Sequence, residues 1–281
     1  MSDHPEKFLL AGVMGWPVMH SRSPMLHNYW FEKHRLKGHY VPLAIAPDGL
    51  EKALRALPAL GFAGCNLTIP HKETAMRIVD DVDDTAKKIG AISCVTVRAD
   101  GSLSGCNNDA YGFAEGLLEA CPDWRAEAGP ATIIGAGGAA RAVVYALNQR
   151  GAREIRLINR TKGRAQALAA DIGGPITVLG WEERHAALAG ASLLVNTTSQ
   201  GMVHYPALDL KLDALPSTAI VADVIYIPGK TPLLEAAAAR GHRTVNGLGM
   251  LLHQARPAWR AWFNIDPDVT REMRELIEAT I

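Results

Sequence analysis

The amino-acid sequence predicts an α/β protein with two domains. The chain has 281 residues, about twice the size of a typical domain, and its 48% hydrophobic content is enough to bury two cores. Short apolar runs typical of strands alternate with stretches of helical spacing along most of the chain. A glycine-rich turn at residues 135–138 joins one such strand to a helix and sets the second domain apart from the first.

The first half of the chain alternates regularly between the two kinds of element. Helices are predicted at 24–34, 49–60 and 85–89, and strands at 8–13, 40–45, 65–69, 92–97 and 103–105. Ser23 is predicted to be the N-cap of the first helix, with Pro24 as its first helical residue. We place the end of the first domain at residue 110.

The second half continues this alternation. Helices are predicted at 111–120 and 139–149, and strands at 131–134, 154–158, 193–196 and 219–224. The final segment, 248–281, has mainly helical spacing, with a kink expected at Pro257, and we expect it to pack back on the first domain. The predicted domains are therefore 1–110 and 111–247, joined around a cleft in which ligands would bind.

The turn that follows the strand at 131–134 has the pattern of a dinucleotide-binding site. Gly135 permits the sharp bend, Gly137 lets the backbone approach a pyrophosphate, and Ala140 allows close helix packing. The N-terminus of the next helix would then face the phosphates. We therefore predict that the C-terminal domain is Rossmann-like and that the phosphates are held by Gly135, Ala136, Gly137, Gly138 and Ala139.

The end of the next strand favours NADP over NAD. NAD-binding proteins place a carboxylate there to bind the ribose 2′-hydroxyl, whereas this chain has Asn159 and Arg160, followed by Thr161 and Arg164. A guanidinium can bind a 2′-phosphate and stack on adenine. These residues predict NADP as the cofactor; the alternative is that the cations form the solvated first turn of a helix.

Charge and cysteine content argue against several classes of protein. The 29 basic and 29 acidic residues give a net charge of zero, so a nucleic acid or an acidic membrane surface is not the expected partner. Four cysteines without a C-x-x-C pair predict neither a zinc site nor disulfides. Asp3, Glu6 and Lys7 occupy a terminus without the apolar core of an export signal, and no stretch is long enough to span a membrane. We expect a cytoplasmic protein that acts on a small molecule and binds no metal; the acidic run at 80–84 is interpreted as a helix-capping turn.

Three segments of the first domain carry candidate chemistry. Ser21 and Ser23 place two hydroxyls at the start of a helix, which suits a substrate carboxylate, although a simple helix cap would explain them as well. Lys72 follows a strand at its carboxyl end, where α/β sheets bind ligands, and Asp109 follows another strand. A lysine and an aspartate beside a nicotinamide can polarise and protonate a carbonyl as hydride arrives. A lone lysine is, however, more often a surface residue.

Taken together, five blocks of residues resemble the shikimate dehydrogenase family. They occur in that family's order and cover nearly the whole chain: Ser21-x-Ser23-Pro24-x-x-His27-Asn28, Asn66-x-Thr68-x-Pro70-His71-Lys72, Gly105-x-Asn107-x-Asp109-x-x-Gly112-Phe113, Asn159-Arg160-Thr161 and Gly247-x-Gly249-Met250-Leu251-x-x-Gln254. The resemblance implies reversible reduction of 3-dehydroshikimate to shikimate with NADPH, in the chorismate pathway of aromatic amino-acid biosynthesis, by a monomer or homodimer.

The same resemblance implies a role for each matching residue. Lys72 would be the acid/base and Asp109 would orient both the lysine and the substrate. The ring carboxylate would be bound by Ser21, Ser23 and Tyr226, and the ring hydroxyls by Asn66, Thr68, Asp109 and Gln254. Further cofactor contacts would come from Thr198, Val224 and Gly247.

Two residues depart from the family pattern. Where the family has Gly-Ala-x-Asn-Thr, residues 90–94 place Ser93 at the asparagine position. Ser93 remains a candidate substrate-binding residue, but a serine offers one hydroxyl instead of an amide, so a ring hydroxyl there would be held through water or not at all. Asn108 replaces the usual threonine, with a side chain expected to point away from that of Asp109. The alternatives are a quinate or aminoshikimate dehydrogenase-like paralogue and a non-catalytic NADP-binding sensor.

Overall fold

A computed structural model describes residues 8–281, which divide into two compact α/β units. The first unit contains the described residues up to Asn108 together with Ala255–Ala279, and the second contains Asp109–Gln254 and the last two residues. Asp3, Glu6 and Lys7, which bear on the question of export, lie outside the described residues.

The first unit is built on a six-stranded mixed sheet with the order β2-β1-β3-β5-β6-β4. Its strands are β1 (Leu9–Gly15), β2 (Gly38–Ala44), β3 (Phe62–Leu67), β4 (Asp81–Val82), β5 (Cys94–Val97) and β6 (Leu103–Cys106). Strand β1 pairs in parallel with β2 and β3, whereas β5 is antiparallel to both β3 and β6. The helices that precede residue 109 are α1 (Ser23–Lys33), α2 (Leu50–Ala56) and α3 (Asp84–Ile89).

Helix α2 is shorter than the sequence predicts. The predicted helix covers 49–60, but regular helix ends at Ala56 and a turn continues to Gly61, which has a φ of 75°. Pro58 has no N–H to donate to the carbonyl four residues earlier, so the helical hydrogen-bond pattern is broken there. The turn delivers the chain to β3, which carries candidate site residues.

The second unit is a six-stranded parallel sheet with the order β12-β11-β10-β7-β8-β9. Its strands are β7 (Ala131–Ile134), β8 (Ile155–Ile158), β9 (Ile176–Leu179), β10 (Leu193–Asn196), β11 (Ile220–Asp223) and β12 (Arg243–Val245), and its helices are α4 (Asp109–Ala120), α5 (Gly138–Gln149), α6 (Lys162–Ile172) and α7 (Pro232–Ala239). The chain starts in the middle at β7, builds outwards to β9, and then returns to build outwards from β10 to β12. The predicted Rossmann-like fold is therefore confirmed, and its topological switch point lies between β7 and β10, where such sheets bind ligands.

The last two helices are α8 (Leu248–Phe263) and α9 (Arg271–Glu278). Pro257 lies inside α8, which continues on both sides of it. The residues of α8 up to Gln254 belong to the second unit and the rest belong to the first. Within the first unit, Trp259 packs against the ring of Phe31, with 4.9 Å between centroids. Across residues 8–281, no helix has the length and apolar character needed to cross a membrane.

Candidate active site

Asn66 lies near the carboxyl end of β3 in the first unit, and its side chain is held in one orientation. Its Nδ2 donates to the backbone oxygen of Ser93 at 3.2 Å, and its Oδ1 accepts from the hydroxyl of Tyr40 at 2.7 Å. Because a backbone carbonyl can only accept, the NH₂ end of the amide must face Ser93. The amide is buried, with a residue exposure of 5%.

Thr68 and Lys72 lie in the turn that follows β3. The Thr68 N–H donates to the oxygen of Met14 at 3.0 Å, which ties the start of the turn to β1. The backbone oxygen of Lys72 accepts from the N–H of Ile92 at 2.8 Å, so Lys72 is attached to the segment that leads into Ser93. The first unit therefore brings Asn66, Lys72 and Ser93 to the end of its sheet where β3 ends and β5 begins.

Ser93 and Asn108, the two residues that depart from the family pattern, contact each other. The Ser93 Oγ accepts a hydrogen bond from the backbone N–H of Asn108 at 2.8 Å, and both residues are buried. The Asn108 Oδ1 accepts from the Cys106 thiol at 3.5 Å, while its Nδ2 finds no hydrogen-bond partner in the part of the chain that the structure describes. The Ser93 hydroxyl thus positions the residue that immediately precedes Asp109.

Ser21 and Ser23 lie at the beginning of α1, but the predicted N-cap is wrong. The helix begins at Ser23 itself, preceded by Arg22 with helical φ and ψ of −91° and −3°. The hydroxyl that accepts from a backbone N–H is that of Ser21, 3.2 Å from the nitrogen of Ser23. Since the chain already turns at Arg22, the accepting hydroxyl comes two residues earlier than the sequence pattern suggests.

Two histidines of the matching blocks are structural in the first unit. His27 is fully buried and its Nδ1 accepts from the Trp259 indole at 2.6 Å; burial lowers its pKa to about 3, so it stays neutral. His71 places its Nε2 at 2.8 Å from the oxygen of Ile45, and burial lowers its pKa as well. Both rings are therefore held by contacts within the first unit.

Asp109 and Gln254 belong to two helices of the second unit that meet through glycines. Asp109 is the first residue of α4, and Gln254 lies on α8 with its Nε2 donating to Leu251 at 3.1 Å. A Cβ on Gly112 would come within 2.6 Å of the Gln254 Cβ, and one on Gly116 within 2.6 Å of the carbonyl carbon of Gly249. Backbone contact between the helices therefore places Gln254 beside the first turn of α4.

The predicted phosphate turn has the geometry that its glycines suggest. Gly135 has a φ of 118°, and a Cβ there would come within 2.4 Å of the Thr197 hydroxyl oxygen. A Cβ on Gly137, by contrast, would meet none of the described residues within 4 Å, so the backbone of Gly137 faces open space. The first bond of α5 runs from Arg141 to Gly137, which leaves three earlier N–H groups without an acceptor inside the helix. An open cradle at a positive helix end fits the pyrophosphate of a dinucleotide.

Cationic side chains follow β8 in the second unit. Asn159 is held by its Nδ2, which donates to Thr161 at 2.9 Å. Arg160, Lys162 and Arg164 are exposed, and no carboxylate among residues 8–281 forms an ion pair with them. Their charges are therefore available for an anionic ligand such as a 2′-phosphate.

The carboxyl ends of β10 and β11 hold a polar network that sequence reasoning missed. Asn196 donates from Nδ2 to both carboxylate oxygens of Asp223 at 3.1 Å, and its Oδ1 accepts from the Thr198 hydroxyl at 2.8 Å. Asp223 also accepts from the N–H of Ile225 and from the Thr231 hydroxyl. Burial nevertheless raises the pKa of Asp223 to about 6. The sequence offers one signal for this network: two otherwise apolar strands each end in a polar residue, Asn196 and Asp223.

This network supports the remaining candidate cofactor residues. The N–H of Val224 donates to the backbone oxygen of Asn196 at 3.0 Å, and the N–H of Gly247 donates to Ile225 at 2.9 Å. A Cβ on Gly247 would come within 2.0 Å of the oxygen of Val224, so only glycine fits there. Thr198, Val224 and Gly247 are thus gathered at one edge of the sheet, and the half-buried Tyr226 follows two residues after Val224.

The acidic run after the candidate lysine has structural partners. Asp83 caps α3 by accepting from the N–H of Ala86 at 2.6 Å, as expected for a capping turn. Asp80 accepts from the N–H of Leu103 and pairs with Arg55 at 2.7 Å, and these contacts lower its pKa, the bond from Leu103 most. Within the described residues, no group of three or more histidine, cysteine, aspartate or glutamate side chains is arranged to hold a metal ion.

Comparisons with known proteins cover the whole length of the chain. Residues 13–95 match the shikimate dehydrogenase substrate binding domain, residues 123–206 the shikimate / quinate 5-dehydrogenase family, and residues 247–278 the shikimate 5′-dehydrogenase C-terminal domain. The chain is 55% identical to the shikimate dehydrogenase (NADP(+)) of Paramagnetospirillum magneticum over 271 residues, which is 96% of this chain and 98% of the relative.

Solved structures give the same result. The shikimate 5-dehydrogenase of Thermus thermophilus, in complex with NADP(H) and shikimate, is 35% identical with a TM-score of 0.87, over 98% of this chain and 100% of that one. The quinate dehydrogenase of Corynebacterium glutamicum, in complex with NAD, is 31% identical with a TM-score of 0.89, over 97% and 99%. This chain therefore belongs to the shikimate and quinate dehydrogenase family.

Proposed function

We propose that this protein is an NADP-dependent shikimate dehydrogenase, which reversibly reduces 3-dehydroshikimate to shikimate in aromatic amino-acid biosynthesis. The observation that carries the proposal is the whole-length match to relatives at 46 to 55% identity that are named shikimate dehydrogenase (NADP(+)). The retention of Lys72 and Asp109 supports a catalytic enzyme over a non-catalytic NADP-binding sensor, because a sensor has no chemical need for a proton donor.

In this proposal Lys72 is the acid/base. When bound, NADPH supplies the hydride for the substrate carbonyl. Lys72 donates its proton to the carbonyl oxygen as the alcohol forms, and takes a proton from that oxygen in the reverse direction. Asp109 orients both the lysine and the substrate. The backbone bond from Ile92 to Lys72 supports this role, because it fixes where the lysine side chain originates.

The substrate's polar groups are assigned to the other candidates. Ser21, Ser23 and Tyr226 bind the ring carboxylate, and the position of both serines at the start of α1 supports this because a helix N-terminus favours an anion. The ring hydroxyls are bound by Asn66, Thr68, Ser93, Asp109 and Gln254. Ser93 accepts from Asn108 through one lone pair, so its proton remains for donation to the substrate.

The cofactor is assigned to the second unit. Gly135, Ala136, Gly137, Gly138 and Ala139 hold the pyrophosphate, while Asn159, Arg160, Thr161 and Arg164 hold the adenosine 2′-phosphate. Thr198, Val224 and Gly247 complete the cofactor contacts. The open backbone at Gly137 and the cations that follow β8 support this assignment.

Replacing Arg160 tests the cofactor assignment. Arg160→Ala should raise the KM for NADP about tenfold to a hundredfold, because one charge-assisted phosphate contact is lost, and should leave the KM for NAD unchanged. Arg153→Ala, an exposed arginine on the turn before β8, is the matched control. Equal effects of Arg160→Ala on both cofactors would contradict the assignment.

Steady-state assays with shikimate and quinate, each with NADP and with NAD, test the substrate. The expected result is the highest kcat/KM for shikimate with NADP. The similarity to a quinate dehydrogenase and the serine at position 93 keep quinate as the second candidate. A preference for quinate with NAD would overturn the proposal, and a folded protein that binds NADP without turning over either acid would support the sensor.

The proposal includes a cytoplasmic monomer or homodimer. Among the described residues, the four cysteines form no disulfide bond, which agrees with a reducing compartment. Size-exclusion chromatography with light scattering tests the oligomeric state, and a mass above that of two chains would contradict it.

A further inference from the structure

We propose that Tyr40 is a positioning residue for substrate recognition, whose hydroxyl holds the Asn66 amide in the orientation that binds a substrate hydroxyl. The inference rests on the proposed function, in which Asn66 binds a ring hydroxyl. Tyr40 belongs to none of the five sequence blocks, and it lies 26 residues away from Asn66 in the chain. Only the fold brings the two side chains together.

The sheet of the first unit places Tyr40 and Asn66 on either side of β1. Tyr40 pairs with Ala11 from β2, and Asn66 pairs with Val13 from β3. The phenol therefore reaches across the intervening strand to donate to the Asn66 Oδ1 at 2.7 Å. Tyr40 is buried, with 1% exposure, so water does not compete for this bond.

The surroundings of Tyr40 fix where its hydroxyl lies. Its ring stacks on the imidazole of His27, with 4.0 Å between centroids and 2° between planes, and His27 is itself held by the indole of Trp259. The side chain of Asn28 bonds both backbone groups of Tyr40. Its Oδ1 accepts from the Tyr40 N–H at 2.8 Å, and its Nδ2 donates to the Tyr40 backbone oxygen at 3.1 Å. Neither the ring nor the strand is free to swing away from Asn66.

The two bonds to Asn66 leave half of its amide for a ligand. A side-chain amide has two N–H donors and two acceptor sites on oxygen. Ser93 takes one donor and Tyr40 takes one acceptor site. No other described residue takes the second donor or the second acceptor site, and an alcohol, which both accepts and donates, is a ligand that satisfies such a pair. Without the Tyr40 hydroxyl, the bond to Ser93 would be the one side-chain hydrogen bond from residues 8–281 that resists rotation of the amide.

The expected consequence is a defect in substrate binding. Asn66 contacts a hydroxyl that does not react, so its bond contributes equally to the ground state and the transition state. Tyr40→Phe keeps the aromatic ring and removes only the hydroxyl. It should raise the KM for shikimate about threefold to tenfold, while kcat and the KM for NADP stay unchanged.

A double-mutant cycle separates positioning from general damage. If Tyr40 acts through Asn66, then Tyr40→Phe should not change the KM for shikimate further in an Asn66→Ala background. Tyr29→Phe is the matched control, because it removes from the same unit a hydroxyl that donates to Glu272 at 2.9 Å. An equal rise in KM in both backgrounds, or no rise with Tyr40→Phe alone, would overturn the inference.

A second measurement does not depend on turnover. The side-chain N–H resonances of Asn66 should shift or broaden in Tyr40→Phe and stay unchanged in Tyr29→Phe. Unchanged resonances in Tyr40→Phe would overturn the positioning role. Resonances that depend on Tyr40 in a protein without shikimate turnover would support the positioning role and reject the proposed function alone.

Discussion

Asp223 should make the stability of the protein depend on pH in the direction opposite to that of an ion-paired surface carboxylate. The residue is 2% exposed, and burial raises its pKa from 3.8 to about 6, although the hydrogen bonds from Ile225, Asn196 and Thr231 act in the other direction. A raised pKa means that the folded protein keeps the proton on Asp223 at pH values where the unfolded chain has lost it. The stabilising contribution is therefore complete below pH 3.8 and is lost as the pH rises through about 6.

The size of this effect follows from the shift in pKa. A difference of about two units between the folded and unfolded states corresponds to about 3 kcal/mol in the free energy of unfolding. Asp223→Asn keeps the shape of the side chain and removes the titration. Between pH 4 and pH 7 the wild type should therefore lose up to about 3 kcal/mol of stability relative to this variant. Urea unfolding at several pH values, followed by circular dichroism and tryptophan fluorescence, measures the difference.

Asp213→Asn is the control for the removal of one negative charge, because Asp213 is an exposed carboxylate of the same unit. A constant difference in stability between the wild type and Asp223→Asn across this pH range would refute the reasoning. A wild-type free energy of unfolding that rises relative to that of Asp223→Asn as the pH rises would also refute it. Such a result would mean that the hydrogen-bond donors around Asp223 affect its pKa more than desolvation does.

Three further substitutions test other parts of the structure. Lys72→Ala should lower kcat by about a hundredfold to ten-thousandfold with little change in the KM for shikimate, whereas Lys52→Ala, at an exposed lysine, should change neither constant. If turnover persists in Lys72→Ala, Lys72 is not the acid/base. Ser93→Ala leaves the buried N–H of Asn108 without its acceptor and should lower the free energy of unfolding by about 1 to 3 kcal/mol in urea unfolding. An unchanged free energy of unfolding would contradict the hydrogen bond between Asn108 and Ser93. Gly116→Ala puts a Cβ within 2.6 Å of the Gly249 backbone and should lower the free energy of unfolding by about 1 to 3 kcal/mol. The control Gly163→Ala, in α6, places its Cβ in open space and should leave the free energy of unfolding unchanged or slightly raised, so equal effects of the two substitutions would refute the glycine contact.

The parts of the fold that sequence predicts well are those specified by neighbouring residues. The unit formed by β7, the turn at Gly135 and α5 is predicted to within one residue, because strand alternation, glycine flexibility and helical spacing are all local properties. Helix α2 is overestimated since the pattern of apolar residues continues past Ala56, whereas Pro58 breaks the hydrogen-bond pattern.

The parts that sequence does not predict depend on residues far apart in the chain. Ser93 and Asn108 can each be identified as unusual by themselves, but the hydrogen bond between them requires the pairing of β5 with β6. The bond from Asn196 to Asp223 likewise depends on two strands that are adjacent only in the folded sheet. Sequence motifs name the candidate ligand-binding residues, whereas the side chains that hold these residues in place have no local signature.

The close approach of α4 and α8 has a mechanical consequence. Two helices whose backbones touch at Gly116 and Gly249 have no layer of side chains between them that could yield, so neither can rotate or slide without collision. We therefore expect Asp109, which starts α4, and Gln254 on α8 to keep a nearly constant spacing. Under the proposed function, we expect a change of substrate preference in this unit to come from replacing Asp109 or Gln254 themselves, since the close backbone contact leaves little room for small shifts of the two helices.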